Sequence, residues 1–226
     1  MAAIPIKFRI VTSILLLVSL LGIGASPVFA GVGAVTHLSG PLFAQSESGS
    51  TRALAVKSAV EKGDTLVAEK RTYGRVRFTD GGEITLRPGS SFVVENYFFD
   101  KDNPKGDNAV YGMVKGSLRA VTGQVGKRGD QNAYKMKTPA ATIGVRGTAF
   151  DLRVCRDGSC PGCADGVYFY VIEGAIEVSN RTGSKRFGIG QYGYVKDMDS
   201  EPELLNEKPD VSFELPIFDA DVCLCR

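Results

Sequence analysis

Glycine and proline interrupt the stretch from Tyr134 to Phe150, YKMKTPAATIGVRGTAF, more often than a regular strand permits. Its apolar residues are β-formers, but Pro139 fixes φ and cannot donate to a sheet, so the chain enters here at an edge, a bulge or a corner. Gly144 and Gly147 lie on either side of Arg146, which predicts close backbone approach or positive φ at both glycines. The stretch is therefore a strand whose shape is set by its own sequence.

Strand signals continue on both sides of this stretch. Apolar and charged residues alternate from Tyr73 to Phe78, and Asp80-Gly81-Gly82 is a hairpin signal that requires positive φ. From residue 31 onward, no window of eleven residues shows the apolar stripe of an amphipathic helix, and the chain has 27 glycines. These patterns predict an all-β fold: a single antiparallel β-sandwich or roll, or a short solenoid-like domain.

Two segments of the chain resemble each other. Val114 to Val121 matches Ile172 to Val178, and the glycines at their centres, Gly116 and Gly174, are 58 residues apart (174 − 116). A glycine between alternating strand residues is typical of a sharp bend. We interpret the pair as two similar bent strands of one β-domain, because two copies do not make a repeat array.

The N-terminal segment has the features of a signal peptide. Lys7 and Arg9 precede an apolar run from Ile10 to Ile23, and small residues lead up to Ala30. The run is shorter than the roughly 20 residues that a membrane span needs. We predict cleavage after Ala30 and a periplasmic or secreted protein with a signal helix that is removed; the alternative is an uncleaved membrane anchor.

Charge excludes some classes of partner. Residues 1–30 carry two of the 27 Lys and Arg residues and none of the 25 Asp and Glu residues, so the remaining chain has 25 of each. A neutral chain has no electrostatic signature for nucleic acid or anionic lipid. We therefore predict no nucleic-acid partner, and membrane contact only if the N-terminal segment stays uncleaved.

Five cysteines are read first as disulfides, since an exported chain matures in an oxidising compartment. They are Cys155, Cys160, Cys163, Cys223 and Cys225. The first three cap a hairpin, which predicts a bond from Cys155 to Cys163 or Cys160, with a second bond to Cys223 or Cys225 left open. The odd cysteine implies a free thiol or a bond to another chain.

Two other interpretations of the cysteines have less support. A redox pair of Cys160 and Cys163 would need a following helix to lower the thiolate pKa, and no helix is predicted there. A zinc site would need four convergent ligands.

The sequence contains few residues that could form a catalytic site. His37 is the only histidine and lies in a short strand, so no Ser/His/Asp or Cys/His arrangement can be built without it. The loop from Asp100 to Asn108 only superficially resembles a calcium loop, because its glycine falls one place late and no closing glutamate follows. We predict no catalytic residue, cofactor or metal, and hence no enzyme.

Three segments together resemble the FecR domain family. They are TPAATIGVRGT at 138–148, GMVKGSLR at 112–119 and RFTDGGEITL at 77–86, within a resemblance that runs from about Gly63 to about Val178. The resemblance implies a β-rich domain that, in the family, forms the periplasmic part of iron-siderophore signalling regulators or occurs in stand-alone exported proteins. Because only nine residues precede Ile10, we expect a stand-alone protein without a cytoplasmic anti-sigma segment.

The resemblance also selects candidate residues with a structural or partner-binding role. They are Thr138, Pro139, Thr142, Gly144, Val145, Arg146, Gly147 and Thr148.

Arg146 has two interpretations. It could present its guanidinium to a carboxylate on a partner, or it could pair inside its own domain with Asp151, Glu173 or Asp80. The sequence favours internal pairing, because a buried arginine must be paired.

The predicted organisation has three parts. A signal peptide occupies residues 1–30, a FecR-like β-domain residues 31–196, and a linker with an irregular tail residues 197–226. The tail is expected to pack back through its apolar residues, Phe213, Leu215, Ile217 and Phe218.

The predicted function is a non-enzymatic binding or sensing module outside the cytoplasm. It would act on an envelope protein or an envelope polymer, in part by adding a strand to an exposed sheet edge. The alternatives are a thiol-redox protein that uses Cys160 and Cys163, or a disulfide-linked β-rich assembly subunit.

Overall fold

The computed structural model describes residues 31–128, 130, 132–211 and 213, and these residues form fifteen strands. In chain order the strands are β1 (Gly33–Leu38), β2 (Leu42–Gln45), β3 (Thr51–Leu54), β4 (Ala59–Val60), β5 (Thr65–Ala68), β6 (Gly74–Phe78), β7 (Glu83–Leu86), β8 (Ser91–Phe98), β9 (Asn108–Val121), β10 (Tyr134–Lys137), β11 (Thr142–Cys155), β12 (Gly166–Asn180), β13 (Gly183–Gly188), β14 (Tyr192–Val195) and β15 (Glu203–Leu205). A single turn of 3₁₀ helix, Pro104–Gly106, lies between β8 and β9. The all-β prediction is confirmed.

The strands belong to one open sheet that is mostly antiparallel. Its main path runs β15, β14, β12, β11, β10, β9, β7, β6, β1 and β4, and only the pairing of β10 with β9 is parallel. Two branches leave this path: β13 pairs with β12, and β8 joins β9 to the series β5, β2 and β3. The branches exist because the long strands change partners half-way along their length.

The long strands β9, β11 and β12 each bend at a glycine with positive φ. These glycines are Gly116 (φ 85°), Gly147 (φ 58°) and Gly174 (φ 75°). The first half of β9 pairs with β8 and its second half with β7 and β11, while β12 passes from β14 to β13. The two glycines of the internal resemblance therefore lie at bends, as predicted.

A single large hydrophobic cluster lies inside the bent sheet. Its largest fully buried side chains include Phe92, Phe150, Phe169 and Phe187. A second, smaller cluster joins Cys155, Cys160 and Tyr168 to Val211 and Phe213.

The segment predicted as a linker and tail contributes to the fold. Its residues Glu203–Leu205 form β15, which pairs with β14, and Phe213 is buried as predicted. Three residues are too short a run to show a strand period in the sequence. The signal segment 1–30, the other tail residues Leu215, Ile217 and Phe218, and Cys223 and Cys225 lie outside the described residues.

None of the residues described by the structure belongs to a helix that is both long enough and apolar enough to cross a membrane.

The core contains tyrosines whose ionisation should weaken the fold at high pH. Burial raises the pKa of Tyr97, Tyr111 and Tyr134 well above the ordinary tyrosine value. Below about pH 10 these hydroxyls are protonated in both states, so their contribution to stability is complete. Above about pH 10 the unfolded chain loses these protons and the folded chain retains them, so the free energy of unfolding falls as pH rises towards the folded pKa values.

Tyr134→Phe should reduce this alkaline loss. One proton corresponds to about 1.4 kcal/mol per pH unit, so the variant's stability should decline by roughly 1 kcal/mol less per unit above about pH 10. At pH 8 the variant should match the wild type closely, because the Tyr134 hydroxyl has no hydrogen-bond partner among the described residues. Urea unfolding of both proteins from pH 8 to pH 11.5 measures the free energy of unfolding and its dependence on pH. An equally steep decline above about pH 10 in the two proteins would contradict the prediction.

Candidate functional site

The motif segment begins with a tight turn between β10 and β11. The Thr138 hydroxyl donates to the carbonyl of Ala141 at 2.7 Å and accepts from its amide at 3.0 Å, while the Thr138 amide donates to the same carbonyl at 2.9 Å. Pro139 occupies the first central position of the turn, where its fixed φ is favourable and no amide is needed. The predicted corner at Pro139 is therefore this hairpin turn.

The next residues of the motif form a regular strand. Val145 points into the core with 2% of its surface exposed, and Thr142 and Gly144 lie on the opposite face. The close backbone approach or positive φ predicted at Gly144 is not found: its φ is not positive, and an added Cβ would meet only the Glu177 carbonyl at an ordinary contact distance of 3.8 Å. Only Gly147 of the two motif glycines needs its conformational freedom.

A β-bulge follows at Arg146, Gly147 and Thr148. The register with β12 shifts here, from Arg146 opposite Ala175 to Ala149 opposite Glu173. The Gly147 amide leaves the sheet and donates to the Gly126 carbonyl at 2.7 Å. The bulge therefore ties β11 to the loop between β9 and β10.

Thr148 forms hydrogen bonds with backbone and hydroxyl groups around the bulge. Its hydroxyl donates to the carbonyl of Ala175 at 2.7 Å, and the Arg146 carbonyl is a longer, alternative acceptor for the same hydrogen at 3.1 Å. Its amide donates to the Thr122 hydroxyl at 2.8 Å. Thr148 is 2% exposed, so these groups are out of reach of water. The adjacent Gly and Thr of the motif thus have complementary structural roles: glycine adopts the bend and threonine completes its hydrogen bonds.

Arg146 lies on the outside of this bulge, exposed to solvent. It forms no ion pair or hydrogen bond through its side chain with any described residue, so the predicted internal pairing is wrong. Of the three proposed partners, Asp151 pairs with other arginines, Asp80 accepts backbone amides, and Glu173 is itself exposed. The β-bulge explains the difference, because it turns the Arg146 side chain away from the domain interior.

Asp151 is the buried centre of an arginine cluster. Its carboxylate accepts two hydrogen bonds from Arg119, at 2.9 and 2.7 Å, and one from Arg87 at 3.4 Å. Both arginines also donate to the carbonyl of Phe213. Burial lowers the pKa of the Arg87 guanidinium, and the Asp151 charge opposes that shift. The cluster holds together β9, β11 and the start of the tail.

Asp80 fixes the loop beside Arg146. Its carboxylate accepts from the amides of Gly82 at 3.0 Å and Val125 at 3.1 Å, and its own carbonyl accepts from Gln124 at 3.0 Å. A side chain at Gly123 would overlap the Asp80 carboxylate, at 2.5 Å. The loop is therefore anchored at its beginning by a buried acid.

Arg128 anchors the same loop further along. It pairs with the buried Asp107 at 3.0 Å, donates to the carbonyls of Lys101 and Asp100, and lies 4.8 Å from the ring centre of Phe99. The intervening Lys127 is exposed and lies next to Gly147, with its Cγ 3.5 Å from the place of a Cβ there. A lysine is therefore held beside Arg146 by anchors on both sides.

Two clefts meet at Arg146. The first, which we call the Arg146 cleft, has a volume of about 300 Å³ and is lined by Arg146, Arg186, Glu177 and Asn132 among others. The second, the Lys127 cleft, has a volume of about 390 Å³ and is lined by Lys127, Arg128, Asp130 and Arg146 with two glycines. The charged side chains of the two clefts are mainly basic, so this surface suits recognition of an anionic group.

The cysteine loop contains one disulfide. Cys155 and Cys160 are bonded, which is one of the two pairings left open by the sequence, and Cys163 is a partly exposed free thiol. The pair invoked by the redox interpretation, Cys160 with Cys163, is thus not the bonded pair. The Arg153 guanidinium donates to the Cys160 sulfur at 3.0 Å.

Within the ranges that the structure describes, no group of three or more His, Cys, Asp or Glu side chains is placed to hold a metal ion. His37 lies in β1, away from the motif in the sheet order.

Sequence reasoning identified Arg146 and the bend but missed the other residues of this surface. Lys127 and Arg186 carry no motif signal, and only the alternation of Arg186 with the buried Phe187 indicates that Arg186 points outward. Arg87, which follows β7 before a proline, gives no sign of its contact with Asp151.

The solved structures that resemble this fold include two of one protein. Both are crystal structures of a candidate anti-sigma factor from Parabacteroides distasonis, at 15% and 16% sequence identity and a TM-score of 0.48 each. In each case the likeness covers 63% of this chain and 59% of the other, so this protein matches less than two thirds of their length. This likeness is too distant to inform function.

No curated protein matches the sequence. The family model described as FecR protein matches residues 64–177, which include the bulge, Asp80, Asp151 and both anchors of the loop beside Arg146. Because this match spans half of the chain, the protein belongs to the FecR family.

Proposed function

We propose that this FecR-family protein is a non-enzymatic regulatory or sensing module that works outside the cytoplasm and acts by binding an envelope protein or polymer through the surface around Arg146. The family membership supports a regulatory role. The binding surface is inferred from the geometry of the motif itself.

The exposed Arg146 guanidinium carries this proposal. The most specific part of the motif builds a bulge that Thr148 ties to β12 through the Ala175 carbonyl. The bulge displays an arginine that forms no ion pair with an acid of the described residues. A purely structural arginine would be expected to end on a carboxylate inside the domain. A guanidinium fixed at its base and free at its tip is suited to pair with a carboxylate or another anion of a partner.

Hydrogen bonds and an ion pair hold the segments next to Arg146 in place. Arg128 and Asp80 anchor the neighbouring loop, and Thr148 closes the bulge. A pre-organised surface loses little conformational entropy on binding. The extracytoplasmic location has support from the Cys155–Cys160 disulfide, since such bonds persist in oxidising compartments.

Arg146→Ala should strongly reduce partner capture without affecting the fold. The full-length tagged protein would be expressed in its own cells, cross-linked in the intact envelope and purified. We expect the variant to recover at least about tenfold less of the specific cross-linked partner, as for loss of a central interface arginine. Its stability should stay within about 0.5 kcal/mol of the wild type, because the side chain is exposed and forms no hydrogen bond or ion pair with a described residue.

Arg77→Ala is the matched control. Arg77 is also an exposed strand arginine, 3.8 Å from Glu83 in a weak ion pair on β6. The control should capture the partner as the wild type does. Equal capture by the Arg146→Ala variant, or no specific partner with the wild type, would overturn the proposal.

A further inference from the structure

We propose that the partner bound at Arg146 is a protein, and that it binds through an extended segment with acidic side chains that lies in a trough crossing β11, β12 and β13. This inference rests on the proposed function and specifies the chemistry of the ligand.

The trough follows from the register of the three strands. Arg146 on β11 is opposite Ala175 on β12, and Ala175 is opposite Gly188 on β13. Side chains at directly opposed positions share one face of a sheet. Between Arg146 and the outer edge of β13, this row therefore carries no side chain larger than the methyl group of Ala175. The trough is the shallow surface along this row.

The neighbouring row provides a second arginine. Gly144 on β11 is opposite Glu177 on β12, which is opposite Arg186 on β13. Arg186 is exposed and lines the Arg146 cleft with Glu177. Neither Arg186 nor Arg146 is ion-paired with Glu177 within the described part of the chain, so both guanidiniums are available to a ligand.

The spacing of the two arginines suits an extended peptide. The two arginines are separated by two strand spacings across the sheet and by two residues along the strand direction. This places their Cα atoms roughly 12 Å from each other. In an extended chain, residues on one face recur about every 7 Å. Carboxylates two to four residues apart could thus reach both guanidiniums, and Lys127 lies beyond Arg146 for a third contact.

The mixture of charges favours a protein over a uniform anionic polymer. Glu177 lines the Arg146 cleft and Asp130 lines the Lys127 cleft, so acids alternate with the basic side chains. A polysaccharide with a charge on every unit would bring anions close to both acids, where like charges repel. A peptide can place neutral or basic residues there, and its carboxylates match the fork of a guanidinium in bidentate pairs.

The edge of the sheet allows an extended segment to approach. β13 pairs with β12 alone among the described strands, and four of its six residues are exposed. Its outer edge therefore has backbone donors and acceptors that a segment entering the trough could use.

Site-specific cross-linking in the native envelope tests this inference. A photoreactive residue would replace Ser184, which is exposed on β13 two residues before Arg186, in the full-length protein. A second version would carry it at Val121 on β9, which is 42% exposed and lies outside the trough. We expect Ser184, but not Val121, to give a protein adduct whose attached peptide has at least two Asp or Glu residues within five positions.

Two variants decide the chemistry of binding. The adduct from position 184 should fall at least about tenfold with Arg146→Ala and at least about threefold with Arg186→Ala, and it should not change with Arg77→Ala. A polysaccharide adduct, a peptide without acids, or an adduct insensitive to Arg186→Ala would overturn the inference. If such a result accompanies loss of capture by Arg146→Ala, the proposed function stands and only the ligand chemistry is wrong; if capture is also unaffected, both fail.

Discussion

Asp151→Asn should destabilise the protein by about 3–5 kcal/mol, the cost of removing one partner from a buried ion cluster. The Asp151 side chain is 1% exposed and accepts hydrogen bonds from two guanidiniums, of which Arg87 is 5% exposed and Arg119 32%. Asparagine keeps the shape but removes the charge, so both guanidiniums lose this buried carboxylate. The change in the free energy of unfolding is measured by urea denaturation.

An exposed ion pair provides the control for this measurement. Asp199 pairs with Arg181 at 3.1 Å, and both side chains are about 70% exposed. Asp199→Asn should cost less than about 0.5 kcal/mol, because exposed pairs contribute little. Arg119→Met in combination with Asp151→Asn should cost less than the sum of the two single changes, since the arginine no longer needs the acid. Similar losses for Asp151→Asn and Asp199→Asn would show that the cluster does not stabilise the fold.

Gly174→Ala should cost roughly 2–5 kcal/mol, because two independent penalties add at the bend of β12. The φ of Gly174 is 75°, which is unfavourable for alanine by about 1–2 kcal/mol. In addition, the new Cβ would lie 2.6 Å from the Gly147 carbonyl and 2.9 Å from the Thr148 hydroxyl, so the backbone of the bulge would have to move. Forcing such a shift typically costs about 1–3 kcal/mol more.

Gly81→Ala separates the two penalties. Its φ is 84°, close to that of Gly174, but an added Cβ would have no atom within 4 Å. This control should therefore lose only about 1–2 kcal/mol. If both variants lose the same free energy of unfolding, the close approach of β12 to the bulge does not contribute to the cost of Gly174→Ala.

The Gly174 variant also connects the bend to the binding surface. Gly174 packs closely against the backbone of Gly147, and the bulge at Gly147 directs Arg146 outward. The bend of β12 and the display of Arg146 are therefore parts of one structure. Substitutions at the bend should affect stability and partner capture together, whereas Arg146→Ala should affect capture alone.

The sequence by itself determined the class of fold and the places where its strands bend. Turn residues at short intervals, alternating strands and the absence of an apolar helical stripe predict an all-β chain, because these signals depend on neighbours in the sequence. The glycines Gly116 and Gly174 could be identified as bends, since the requirement for positive φ is a local property of the backbone. The same holds for the turn at Pro139.

Only the tertiary structure decided which side chains meet. Asp151 is close in sequence to Arg146 but contacts Arg119 and Arg87, which are 32 and 64 residues away. Cys155 bonds with Cys160 rather than Cys163 although the loop offers both. Lys127 shares a cleft with Arg146 because its loop is anchored nearby, and Arg186 shares the other cleft because of the register of β13 with β12. No local sequence pattern indicates either arrangement. These pairings depend on how distant strands are aligned, and the free energy that selects them comes from packing of the whole core rather than from any segment alone.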